Sequence, residues 1–178
     1  RSTDRVRFVV PGKYEDLTLM TWVRVDRLPN HLNVLLRADE VKFGSFHWQI
    51  DSVGQLRLGV LTEEKMYLVP GTNKLTEWDV AVSPPLLDSK LGQWVHVASV
   101  YDSKRSVIEH FMDGRKVAAH ELKRPMPLVI GPAQIGNTAN LDREGKQVNF
   151  VGRMDEFAIL KVALSADEIR NCYEAGRP

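Results

Sequence analysis

Apolar and polar residues alternate along most of this chain, in short runs separated by turn residues. In "FHWQID", Phe46, Trp48 and Ile50 share one face of an extended segment, while His47, Gln49 and Asp51 share the other. That is the pattern of a strand with one buried side. "RVRFVV" and "LTLMTWVRV", on either side of the turn "PGKYED", read the same way, as do "NVLLRA", "QLRLGVL", "KMYLV" and "WVHVASVYD". In "SVIEHFMDGRKVAAHEL" the pair Asp113-Gly114 stands between two alternating runs, which predicts a two-residue hairpin turn. Two short strands, "PLVI" and "AQIGN", lead to the polar loop "TANLDREGKQ" and a last long strand, "VNFVGRMDEFAIL".

The alternation fails between Pro70 and Gln93, so this stretch reads as one long loop holding Trp78. Helical spacing occurs once, at the end. Ser165 with Glu168 three residues later forms a capping box, Leu164 can staple onto Ile169, and Ile169, Cys172 and Tyr173 make the apolar stripe before Gly176. About a dozen short strands and one helix predict an all-β domain, a sandwich, jelly roll or barrel, with the helix laid over one edge or face. No internal repeat or second domain is visible, so residues 1–178 read as a single domain.

Composition narrows the function classes. At 178 residues and 43% hydrophobic the chain can bury a sizeable core. The 24 basic and 23 acidic residues nearly cancel, and no basic run is interleaved with aromatics, which argues against nucleic acid as a partner. No apolar run approaches the roughly 18 residues that cross a bilayer. The chain begins at Arg1 and reads as a piece of a longer protein, so targeting signals carry no information about its location. Cys172 is the sole cysteine, which excludes an internal disulfide and a CxxC site.

Several stretches resemble laminin-G-like domains, the jelly-roll members of the concanavalin A-like lectin/glucanase superfamily. They are "LTLMTWVRVD", the Trp-x-His-x-Ala strand "LGQWVHVASVYD", the Asp-Gly hairpin "VIEHFMDGRKVA", "AQIGN" and the closing "VGRMDEFAILKVALSADEIRNCYEAG". They occur in the family's order from about Val6 to Gly176. The resemblance implies a two-sheet antiparallel jelly-roll sandwich with a short C-terminal helix, often holding calcium. It also implies a secreted or periplasmic module attached to something larger. The chain is similar in particular to the outer module of membrane-anchored bacterial anti-sigma regulators. The expected role is therefore a non-catalytic, extracytoplasmic binding or sensing module with a glycan or protein ligand. A glycoside hydrolase or lyase, or a structural spacer, is the alternative.

Individual residues weigh these readings. Glucanases of this superfamily take their two carboxylates from Glu-x-Asp-x-x-Glu on one strand. In "EWDVAV" Glu77 and Asp79 fit, but Val82 stands in place of the second glutamate. HExxH, GxSxG, P-loop and GxGxxG motifs are absent. His96 reads as a satisfied core histidine, His47 as part of a solvated strand face, and Trp22 and Trp94 as core. For a ligand surface the candidates are His47 and Gln49 on the polar face of their strand and Trp78 in the long loop. Asp155 and Glu156 sit on a strand whose two faces both carry large apolar residues, so the strand reads as covered on both sides. A buried carboxylate needs compensation. For Asp155 this is either calcium, with Asp4 or its neighbours close by as the resemblance implies, or hydrogen bonds and an arginine without any metal. Glu156 reads as a structural hydrogen bond or ion pair.

Overall fold

A computed structural model describes residues 4–40, 42–62, 78–137 and 149–177. Among these residues it contains β1 (Val6–Tyr14), β2 (Asp16–Val25), β3 (Leu32–Ala38), β4 (Phe46–Asp51), β5 (Leu56–Leu61), β6 (Trp78–Val82), β7 (Trp94–Asp102), β8 (Val107–Met112), β9 (Arg115–Glu121), β10 (Leu128–Ile135), β11 (Gly152–Leu160) and the helix α1 (Ala166–Ala175). Two antiparallel sheets face each other, ordered β1-β10-β3-β4-β5-β6 and β11-β2-β7-β8-β9. This is the predicted jelly-roll sandwich with its C-terminal helix.

The alternation dictates which side chains meet between the sheets. Phe46, Trp48 and Ile50 from β4, Leu56, Leu58 and Val60 from β5, and Leu19, Val23, Val95, Val97 and Tyr101 from the other sheet are buried in one cluster. Burying such side chains is worth roughly 1.5–3 kcal/mol each and supplies the main drive for closure. One polar pairing inside it crosses between the sheets. Trp48 Nε1 donates to Ser99 Oγ at 2.8 Å, and Ser99 Oγ lies 2.7 Å from His110 Nδ1.

The Asp113-Gly114 turn forms as predicted. Met112 pairs with Arg115, and both turn residues have positive φ, 48° and 72°, as a type I′ turn requires. Gly114 is needed for space as well, since a Cβ there would stand 2.9 Å from the Tyr173 ring. The capping box also forms: Glu168 N–H donates to Ser165 Oγ at 3.3 Å, and Ser165 N–H to Glu168 Oε2 at 2.7 Å. The helix covers the outer face of the five-stranded sheet, where Ile169 packs with Ala98, Val100, Phe111 and Leu164.

Several expectations need correction. "PGKYED" is no turn between partners: β1 runs through to Tyr14, and β1 and β2 join different sheets. The irregular stretch from Pro70 to Gln93 contains a strand, since Trp78–Val82 forms edge strand β6; residues 70–77, like "KMYLV" and "TANLDREGKQ", lie outside the described residues. "PLVI" and "AQIGN" merge into β10, which bends where Gly131 takes φ 61°. Trp94 is 37% exposed rather than core, because it opens β7 opposite Arg24 on the outer face.

The largest correction concerns β11. Asp155 pairs with Trp22 and Ala158 with Met20, so three residues on β11 span two on β2. One residue is extra, and Glu156 takes φ 50° at the bulge. The insertion rephases the strand. Met154, Phe157 and Ile159 all pack on the core, while Asp155 and Glu156 are exposed. Met154 thus shares the core side with Phe157 and Ile159, while Ala158 and Leu160, opposite Met20 and Thr18, face the other way.

Two predictions follow from this packing. Gly114→Ala, which strains φ and displaces Tyr173, costs about 2 kcal/mol or more, whereas Gly92→Ala, at φ 74° with nothing within 4 Å, costs about 1 kcal/mol. Urea denaturation of both variants gives the comparison, and equal losses would refute the close-packing account.

The second concerns pH. Burial lowers His96 and His110 to about 4 and His47 to about 3. Asp113 opposes the shift at His96, the Ala81 backbone opposes it at His110, and Arg37 adds to it at His47. An unfolded histidine titrates near 6.5, so below that pH the unfolded chain binds more protons. This contribution to stability is complete above pH ~6.5 and is lost as pH falls toward 4, at up to about 1.4 kcal/mol per pH unit for each histidine. Unfolding free energies across that range should show the slope, and His110→Gln should flatten it by about one proton. A flat profile would contradict it.

Candidate functional site

Residues directly opposite one another in an antiparallel sheet share a face. On the outer face of the six-stranded sheet this produces one row across every strand. Arg7 of β1 pairs with Gln134 of β10, Gln134 with Arg37 of β3, Arg37 with His47 of β4, His47 with Gly59 of β5, and Gly59 with Val80 of β6. Beside it runs a second row, Val34, Gln49, Arg57 and Val82.

Gly59 is the gap that shapes the site. A Cβ there would touch the Trp78 ring at 3.4 Å, so the bare backbone lets that ring lean across β5. It meets the His47 ring with centroids 4.6 Å apart and planes tilted by 31°. His47, Gln49 and Trp78, proposed from alternation and loop position, thus come together on one face. Their settings differ from expectation. His47 is half-buried rather than solvated, Gln49 is 9% exposed, and Trp78 opens a strand.

The electrostatics follow from burial. At about 3, His47 is a neutral imidazole at physiological pH, and its buried Nε2 has no hydrogen-bond partner. Burial also lowers Arg37, with the Asp39 charge opposing. Gln134 donates through Nε2 to Asp39, while its own buried Oε1 is unpartnered. Arg57 approaches Asp51 at 3.5 Å, and Asp51 is further occupied by the backbone N–H groups of Val53 and Gln55. The face therefore offers an aromatic pair flanked by amides, guanidinium groups and unspent hydrogen-bonding atoms. Sequence reasoning missed Arg37, Gln134 and Gly59. Of these only Gly59 left a signal, as a glycine inside an alternating strand.

Asp79, half of the partial glucanase motif, points the other way. It is 1% exposed between the sheets, where it bonds His120 Nε2 at 2.7 Å and the Lys123 N–H at 2.8 Å. That arrangement ties the β6 edge to β9. Glu77 lies outside the described residues.

The calcium reading loses its premise. Asp155 is exposed on the outer face opposite Trp22, and its Oδ1 accepts the Glu156 N–H at 2.9 Å. Asp4 precedes β1 in the other sheet, and β1 and β11 meet through apolar residues such as Phe8 and Phe157. Among the described residues no group of three or more His, Cys, Asp or Glu side chains gathers as a metal site. Asp155 is therefore not the buried carboxylate that called for a compensating ion. Glu156 lies against the helix end instead, its Oε2 2.5 Å from where a Gly176 Cβ would stand. His96, also expected to be satisfied, is buried between Trp22 and Tyr173 with Nδ1 unpartnered.

A laminin-G-type family model, described as the concanavalin A-like lectin/glucanases superfamily, matches residues 9–170. The chain belongs to that superfamily. No curated protein sequence matches it. Among solved structures it is similar to the heptameric SAP-like pentraxin of Limulus polyphemus, with 14% identity and TM-score 0.66 over 97% of this chain and 76% of that one. It is similar to the botulinum neurotoxin serotype D ligand-binding domain in complex with N-acetylneuraminic acid, with 10% identity and TM-score 0.70 over 98% of this chain and 40% of that one. The binding domain of Paraclostridial Mosquitocidal Protein 1 aligns with 14% identity and TM-score 0.69 over 98% and 42%. These identities establish the fold, and this chain spans well under half of each toxin chain.

The exposed setting of Asp155 generates a prediction. Neither calcium nor a chelator should move the melting temperature; a rise with calcium that Asp155→Asn abolishes would restore the ion.

Proposed function

We propose that the protein is a non-catalytic ligand-binding module that takes a glycan on the outer face of its six-stranded sheet. The observation that carries this is the His47–Trp78 pair at 4.6 Å, set over Gly59 beside the polar row. An aromatic face covers the C–H surface of a sugar, and the neighbouring amides and guanidinium groups serve its hydroxyls. The structural neighbours support a binding role, one of them being a domain in complex with N-acetylneuraminic acid. Against the hydrolase alternative, Asp79 is committed to His120 and Lys123 inside the sandwich and cannot serve a substrate on the outer face.

The sequence resemblance supports an extracytoplasmic location, as the outer module of a membrane-anchored anti-sigma-type regulator that senses this ligand. Among the described residues no helix is long and apolar enough to cross a membrane, so anchoring in this reading belongs to the rest of the parent chain.

A glycan array with the wild-type domain and Trp78→Ala tests the binding role. The wild type should bind, and Trp78→Ala should weaken the best ligand roughly tenfold or more. Absence of glycan binding, with stable co-purification of a protein partner, would replace the glycan by a protein ligand. Hydrolysis of a β-glucan, abolished by Glu77→Gln, would overturn the non-catalytic reading.

A further inference from the structure

A second concavity lies at the turn end of the β8–β9 hairpin, where the helix meets the rim of the sandwich. The tip of the β8–β9 hairpin, the segment around Lys90 and the C-terminal half of α1 enclose about 840 Å³. Small-molecule sites occupy roughly 300–1,000 Å³. Its charge is lopsided. Lys90, Arg115, Arg170 and Arg177 line it against only Asp113 and Glu174, in a chain whose formal net charge is +1.

One carboxylate is already occupied. Asp113 accepts Lys90 Nζ at 2.6 Å on one oxygen and the His96 N–H at 3.0 Å on the other. Arg177 lies over the Tyr173 ring at 5.6 Å. Arg115 and Arg170 have no ion pair or hydrogen bond among the described residues. Of the cleft's neighbours on the sheet, Arg105 binds Asp102 at 2.6 Å and Glu109 at 3.0 Å, and Lys116 binds Glu109 at 3.1 Å. The cleft itself carries four cations against two carboxylates.

The walls are preorganised. Tyr173 stacks on Trp22 at 5.6 Å and closes over Gly114, which holds the hairpin tip against the helix. Leu86, Met112 and Val117 add apolar surface.

We propose that this cleft binds a compact anionic saccharide of two or three rings through a carboxylate or sulfate held by Arg115 and Arg170. Guanidinium forks match these anions in a way that lysine does not. The apolar walls and the Tyr173–Arg177 stack suit the C–H faces of sugar rings, and the volume holds a few rings rather than a polymer. This site lies across the sandwich from the His47–Trp78 pair and does not depend on it.

Calorimetry at low ionic strength tests it with three probes: an unsulfated chondroitin disaccharide carrying one carboxylate, its sulfated form, and neutral cellobiose. At least one acidic probe should bind, and added salt should weaken that binding while leaving any cellobiose binding unaffected. Binding of the unsulfated form assigns a carboxylate site, and binding of the sulfated form alone assigns a sulfate site. The double variant Arg115→Gln/Arg170→Gln should lose about tenfold or more in affinity for the acidic probe, with an unchanged melting temperature and an unchanged response to cellobiose. Should the double variant melt early, each single substitution replaces it. The proposal is overturned if no acidic probe binds, if the arginine variants bind it like the wild type, or if they lose cellobiose binding equally.

Discussion

The burial of Trp48 between the two sheets is the constraint on which the rest of the structure turns. Its side chain is 0% exposed, and an indole N–H with no acceptor there would cost roughly 1–3 kcal/mol. Ser99 supplies the acceptor from the opposite sheet and lies 2.7 Å from His110 Nδ1. The three side chains thereby fix the rotation of β4 about its axis and the registration of one sheet over the other. Because neighbours on a strand point to opposite faces, locking Trp48 inward commits His47 and Gln49 outward. The binding face is the reverse side of the core.

Much of this was legible in the sequence, because its causes are local. Alternation in "FHWQID" gives the two faces of β4, Asp113-Gly114 gives the hairpin, and Ser165 with Glu168 gives the helix start. What was illegible depends on partners distant in sequence. A one-residue bulge at Glu156 leaves no local mark, since glutamate is not a residue that advertises positive φ, yet it reverses the phase of the strand and turns an apparently buried acidic pair into an exposed one. Gly176 ends the helix as expected, but with φ −92°, so its glycine serves the close approach of Glu156 and Trp22 rather than a left-handed cap. The row from Arg7 to Val80 exists only once five strand registers are known. Apart from His47 and Gly59, each residue in it is unremarked in its own segment.

The two faces of the sandwich divide the polar chemistry. One carries a neutral histidine, an indole and amides, a surface for hydroxyl groups. The other carries unpaired guanidinium groups beside a rigid hairpin tip, a surface for anions. Between them the core holds paired polar groups, among them Trp48–Ser99 and the Asp79–His120 clasp at the β6–β9 edge. Asp79 shows why fold membership alone does not determine chemistry. The partial carboxylate motif survives, but its aspartate serves closure of the sandwich.

The central claim is that the outer face of β4, β5 and β6 is where the protein recognises its ligand. Two-dimensional NMR of the Trp78 indole N–H and the His47 ring, followed while the glycan with the highest array signal is titrated in, tests it most directly. The account predicts saturable shifts at both side chains with the Trp48 indole unmoved. Saturable binding that leaves Trp78 and His47 unshifted would contradict it.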